Sequence, residues 1–187
     1  VVGVCSAMTI NRNRDWKDSY SLWTKTVEVE PNSFRAHGNL AHVYQKRGMI
    51  DASLREVEKT LELNPKDHKA YYNLGVVLSE QGFTAEAETA YRKTIAINPR
   101  FKNAHFNLGT IYKRQNRLEA AKQAFKKVVE IDPEDVEALN NLGVIYAMQG
   151  KLDAALAEWQ KVIALDPANR AVQANIEKAE KLIEQSQ

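Results

Sequence analysis

Cysteine is nearly missing from this chain. Of 187 residues only Cys5 is a cysteine, which excludes an intrachain disulfide framework and leaves the redox compartment open. Excess charge is missing too: 26 basic side chains stand against 24 acidic ones, a net of +2. Such a balance offers no electrostatic reason to expect nucleic acid or an anionic lipid surface. With 27% charged and 44% hydrophobic residues, the composition is too charged for a membrane bundle and too apolar for a disordered tail. Prolines are also few, only five, and their placement organises everything else.

They are Pro31, Pro65, Pro99, Pro133 and Pro167, each 34 residues after the last. Leu40, Leu74, Leu108 and Leu142 keep the same step, as do Gly75, Gly109 and Gly143 with Ala41 in the first unit. Gly48, Gly82 and Gly150 follow it as well, with Asn116 in place of the third. A strict period of this length means stacked supersecondary units. In the unit from His68 to Pro99, Tyr71, Leu74, Gly75 and Leu78 recur at three- and four-residue spacing, the apolar stripe of a first helix. Gly82 predicts a left-handed turn ending it. Ala87, Tyr91, Thr94 and Ile95 then mark one side of a second helix, which Pro99 stops.

Ser33, Asp67, Asp135 and Asn169 sit where an N-cap is wanted, whereas the third unit has Phe101 there. The small residues Ala41, Gly75, Gly109 and Gly143 are expected to face Ser53, Ala87, Ala121 and Ala155 across a close helix crossing. Val57, Tyr91, Phe125 and Trp159 are then expected to fill the groove against the following unit. No unit could bury these faces alone, so stacking supplies the stability.

The pattern resembles the tetratricopeptide repeat. The family's large residue stands as His37, Tyr71, His105 and Leu139. Its Leu-Gly pair stands as Leu40-Ala41, Leu74-Gly75, Leu108-Gly109 and Leu142-Gly143, and its tyrosine as Tyr44, Leu78, Tyr112 and Tyr146. The resemblance implies an all-α, right-handed superhelical solenoid of antiparallel helix pairs. Four full units cover 34–67, 68–101, 102–135 and 136–169, after a half repeat at 17–33 and before a capping helix at 170–187. In that last helix Val172, Ile176, Ala179 and Ile183 form one apolar face.

Residues 1–16 form an apolar and basic lead-in. The run from Val1 to Thr9 is nine residues, short of the about 20 that a membrane helix needs. The chain is expected to be a fragment cut within or just after a hydrophobic segment. Arg12-Asn13, Trp16 and Leu22-Trp23 are similar to the join in multispanning glycosyltransferases with C-terminal tetratricopeptide repeats, such as the transmembrane O-mannosyltransferases. That resemblance implies a membrane tether at the N-terminus, on the extracytoplasmic side, and a role in presenting acceptor proteins. The simpler alternative is an aromatic N-terminal cap made by Trp16, Tyr20 and Trp23.

In such repeats the first helices line the concave side. Asn39, Asn73, Asn107 and Asn141 recur there at the 34-residue step. An asparagine amide offers donor and acceptor together, suited to a peptide backbone. The array is similar to that of protein O-GlcNAc transferases, which implies a polypeptide-binding surface; the alternative is that the amides bond within and between helices. Tyr72 and Phe106 are candidate anchors, since aromatic side chains give large contact area at low entropy cost. His42 is a further groove candidate, and Lys113 with Arg114 could meet a carboxylate or stand as a solvated helix end. The carboxylate clamp of chaperone-binding relatives would put its lysine at Gly38 or Tyr72 and its asparagine at His42 or Val76. Neither register carries it, so chaperone C-termini are not the expected ligand.

Catalysis has no support in the sequence. His37, His42, His68 and His105 are scattered, and no Cys/His ligand set, phosphate-cradling glycine loop or nucleophile elbow occurs. No cofactor or metal is expected. Unit charges from Phe34 run +1, +1, +2 and −2, so a nucleic-acid partner is not expected either. The expected function is a non-catalytic interaction module that binds a protein or peptide ligand, extended in the concave groove. The alternatives are the acceptor-presenting domain and a self-assembly scaffold in which Val1 to Met8 pair homo-oligomers.

Overall fold

The structure, a computed structural model, describes residues 19–185. Among them lie ten helices and no strand: α1 Ser19–Val29, α2 Phe34–Lys46, α3 Ile50–Leu63, α4 His68–Glu80, α5 Thr84–Ile97, α6 Lys102–Arg114, α7 Leu118–Ile131, α8 Val136–Met148, α9 Leu152–Leu165 and α10 Arg170–Glu184. The expected all-α helix pairs are present. Cys5, the run from Val1 to Met8, Arg12-Asn13 and Trp16 lie outside the described residues, so the join expected there is not described. The chain divides into two compact units, Val1–Pro99 and Arg100–Gln187. In the first, α2 pairs with α3 and α4 with α5, while α1 packs on α2. In the second, α6 pairs with α7 and α8 with α9, and α10 packs on α9.

Each pair is closed by the same turn. After α2, Gly48 N donates to Gln45 O at 2.9 Å and Met49 N to Tyr44 O at 2.9 Å. This double bond pattern satisfies carbonyls that the helix leaves orphaned and needs a left-handed residue at its centre. Gly48, Gly82 and Gly150 supply it with φ of 71°, 84° and 73°. Asn116 supplies it in the third repeat with φ 57°, asparagine being the side chain that tolerates this region best. Entry to the first helices is capped where the sequence predicts it in three of four cases. Asp67 accepts from Lys69 N and Ala70 N, Asp135 from Ala138 N and Asn169 from Val172 N. Ser33 holds the N-cap position with extended backbone, but its hydroxyl makes no capping bond. Phe101, as its side chain dictates, makes none either.

The core adds a ring to the expected crossing. The nearest atoms to a Cβ built on Gly75, Gly109 or Gly143 belong to Tyr91, Phe125 or Trp159, at 2.6, 2.9 and 2.3 Å. These large side chains therefore fill a notch in the first helix of their own repeat, and Trp159 also clusters with Val172 and Ala179 of the helix that follows, as expected. The physical reason is reach: a ring spans the gap that two small residues leave open. The first repeat shows the matching exchange, with Ala41 in place of the glycine and Val57 in place of the ring, both buried. Its Ser53 hydroxyl donates to Ala41 O at 2.8 Å.

Several buried polar side chains are satisfied nearby, whereas Thr24 Oγ1 and Gln149 Oε1 are buried without a hydrogen-bond partner among the described residues. Thr60 and Thr94 donate to carbonyls four residues back, at 2.8 and 3.1 Å, and Val128 and Val162 are buried at the equivalent positions. His37 is buried, its Nε2 donating to Pro31 O at 2.9 Å and its Nδ1 facing Glu56 Oε2 at 2.6 Å. Lys102 Nζ bridges Asp132 and Asp135 at 2.7 and 2.9 Å, tying α6 to the turn that opens α8.

Both described ends are covered by a single helix. On α1, Tyr20 meets Tyr44 edge-on with ring centroids 5.8 Å apart, and the Arg47 guanidinium lies 4.0 Å over the Tyr20 ring. On α10, Val172 and Ala179 join a cluster with Leu139, Ala155, Trp159 and Val162, against which Ile176 packs. Among the described residues no helix is long and apolar enough to cross a membrane.

Candidate functional site

The candidate residues all fall on first helices of repeats, because the 34-residue step returns each to the same helical position. In the first unit, α2 carries Asn39 and His42, both exposed, and α4 carries Tyr72 and Asn73, both half-buried. The two helices touch, and Gln45 Nε2 links them by donating to Glu80 Oε1 at 3.0 Å. In the second unit, α6 carries Phe106, Asn107, Lys113 and Arg114, and α8 carries Asn141. Arg114 is exposed and the other four are half-buried.

The aromatic candidates are braced from below. Tyr72 sits with its ring centroid 5.9 Å from that of Tyr91, tilted by 46°. Phe106 meets Phe125 edge-on, 5.4 Å away at 78°. Since Tyr91 and Phe125 occupy the notches at Gly75 and Gly109, the crossing glycines indirectly set the height of both rings. The equivalent residue of the fourth repeat is Asn140, whose Oδ1 accepts from Trp159 Nε1 at 3.1 Å. That residue is a partner for the buried indole, a role its position among groove residues does not reveal.

The four asparagines, alike in sequence, are used differently. Asn39 Nδ2 donates to Arg35 O at 2.8 Å, one turn back along its own helix. Asn141 Nδ2 donates likewise to Glu137 O at 2.8 Å. Its Oδ1 is also engaged, accepting from Lys113 Nζ. Asn107 has interactions within the chain. Of the four, only Asn73 makes no side-chain hydrogen bond among the described residues, so its whole amide is open to a ligand.

Electrostatics single out one end of α6. Its sequence, Lys102 to Arg114, contains no acidic residue. Lys102 is neutralised by its two aspartates, whereas Lys113 and Arg114 take part in no ion pair among the described residues. Burial pushes the Lys113 ammonium below the ordinary lysine value, and the neighbouring Arg114 charge adds to that. Both cations lie in the last turn of α6, where the helix dipole favours positive charge. Among the described residues no group of three or more His, Cys, Asp or Glu side chains could hold a metal ion.

Comparison with known proteins agrees with this geometry. The tetratricopeptide repeat family model matches residues 39–100, 77–135 and 106–170. No curated protein sequence matches the chain. Among solved structures, the chain is similar to YrrB, a TPR protein with an unusual peptide-binding site, with a TM-score of 0.77 at 24% identity over 87% of this chain and 84% of that one. It is also similar to Pseudomonas aeruginosa pilF, with a TM-score of 0.70 at 23% identity over 81% and 69%. MamA from Desulfovibrio magneticus RS-1 is a third, with a TM-score of 0.69 at 21% identity over 89% and 93%. At these identities the likeness is one of fold, and nothing in these matches carries the glycosyltransferase resemblance. Helix pairs at a 34-residue step, left-handed turns at Gly48, Gly82, Asn116 and Gly150, and a family match spanning most of the chain lead to one conclusion: the chain belongs to the tetratricopeptide repeat family.

Proposed function

We propose that this chain is a non-catalytic interaction module whose first-helix faces hold an extended polypeptide. The observation that carries the reading is the pairing of a braced, half-exposed ring with an asparagine amide on the same turn: Tyr72 with Asn73, and Phe106 with Asn107. A ring held by packing offers apolar contact with little entropy left to lose. The Asn73 amide beside its ring can bond a peptide N–H and C=O together. The reading is also consistent with the family, whose repeats serve protein–protein contact, and with the peptide site described for YrrB.

The test is an array of random 12-residue peptides probed with the folded chain. Tyr72→Ala, Phe106→Ala and Asn73→Ala should each weaken bound peptides, the last by about 1 kcal/mol or roughly fivefold. The asparagine should act on most peptides alike, because it reads backbone rather than side chains. Failure of the wild-type chain to hold any peptide, or equal binding by all three folded variants, refutes the reading.

A further inference from the structure

Several lysines are neutralised by neighbours; Lys113 is not. Lys25, Lys59, Lys122, Lys127 and Lys161 each pair with a glutamate three residues away along the chain. Lys113 instead donates to the neutral amide oxygen of Asn141 on α8. It is half-buried, and no carboxylate lies within ion-pair distance. Asn141 is held for this purpose by its own bond to Glu137 O at 2.8 Å. One turn from Lys113 on the same face, Thr110 ties its hydroxyl proton back to Phe106 O at 3.1 Å. Glu137, the one acidic residue of α8, forms no ion pair among the described residues.

We infer that the Lys113–Asn141 clasp, with Arg114 beside it, is the receptor for a carboxylate of the bound polypeptide, so that the ligand of this face is an acidic peptide. The inference rests on the peptide-binding reading above and names its ligand class. A half-buried ammonium whose only fixed partner is an amide has lost water without gaining a counter-charge. An incoming carboxylate converts that deficit into a charge-assisted hydrogen bond, shorter and about twice as strong as a neutral one. The fall in the Lys113 ammonium's proton affinity on burial is in keeping with this, since a counter-ion would reverse it. Phe106, two turns back on α6, supplies apolar contact for a neighbouring side chain of the same peptide.

The experiment takes every peptide that the wild-type chain holds on the array and reprints it in two altered forms. One replaces each Asp by Asn and each Glu by Gln; the other keeps the acids and amidates the C-terminus. The full chain is compared with Lys113→Met, Lys113→Arg and Asn141→Asp. The first removes the charge at constant length, the second restores it, and the third supplies an internal carboxylate that occupies Lys113 in advance. Expected is roughly a ten- to hundredfold weakening of acidic peptides by Lys113→Met and by Asn141→Asp, with rescue in Lys113→Arg and no change for the amide forms. Loss on acid-to-amide exchange assigns the carboxylate to a side chain, and loss on amidation to the terminus; either supports the inference. Peptides held equally well in acidic and neutral form, unaffected by Lys113→Met, would overturn it while leaving the peptide-binding reading intact. No peptide held by the wild-type chain overturns both.

Discussion

Replacing Gly143 by alanine tests the packing rule at its tightest point. A Cβ there would stand 2.3 Å from Trp159 Nε1 and 2.6 Å from its Cδ1. The indole cannot yield freely, because it is 3% exposed and its Nε1 donates to Asn140 Oδ1. Overpacking of this kind costs about 1–3 kcal/mol, and displacing the ring forfeits a hydrogen bond worth about 1 kcal/mol. Against these, alanine improves helix propensity by about 1 kcal/mol over glycine. The net expectation is a loss of about 1–3 kcal/mol, read as a lower urea midpoint by far-UV circular dichroism. The decisive arm is the same change in a Trp159→Val background, which recreates the Ala41 and Val57 pair of the first repeat. There the added methyl has room, and Gly143→Ala should be neutral or stabilising by up to about 1 kcal/mol. An equal effect of Gly143→Ala in both backgrounds, or a stabilised single variant, would refute the notch-and-ring argument.

Other predictions test separate links. Gly82 has φ 84° and open space around its would-be Cβ, so Gly82→Ala should cost about 1–2 kcal/mol for backbone reasons alone, while Gly82→Asn costs less, as Asn116 shows. Comparison of the two melting temperatures separates conformation from packing. Thr94→Val should change stability by less than about 1 kcal/mol, since the hydroxyl bonds only its own helix and Val128 already fills the equivalent position; a larger loss in urea titration refutes that. Hydrogen bonds to Asp132 and then Asp135 hold Lys102 well above the usual lysine range, and the bond from Lys102 holds Asp132 below the usual carboxylate range. The Asp132 contribution is therefore full above its unfolded value of about 4 and lost as pH falls, while that of Lys102 is full below about 10.4 and lost as pH rises further. Lys102→Met should lower the melting temperature at pH 7 and lessen its fall between pH 7 and pH 3; an unchanged acid slope argues against the bridge.

Much of the local structure could be read directly. Proline at the end of each second helix, glycine or asparagine two residues past each first helix, and aspartate or asparagine at the caps act through their own backbone chemistry, within a few residues. Ser33 is the exception: its residue type is right for a cap, yet its hydroxyl makes no capping bond. The candidate site was legible in outline, since a 34-residue step puts Asn39, Asn73, Asn107 and Asn141 on matching positions. It was not legible in detail. Whether an amide turns back onto its own helix, as in Asn39, or also receives a lysine, as in Asn141, depends on what stands opposite.

The repeat length, the helix boundaries, the left-handed turns and the family follow from the sequence alone, because each rests on short-range sterics and hydrogen bonding repeated in register. The tertiary structure decided which side chain fills the glycine notches, that Asn140 serves the Trp159 indole, and that Lys113 reaches Asn141 rather than a carboxylate. Those pairings join residues 16 to 28 positions apart on different helices, where distance and angle are set by packing and by no local rule.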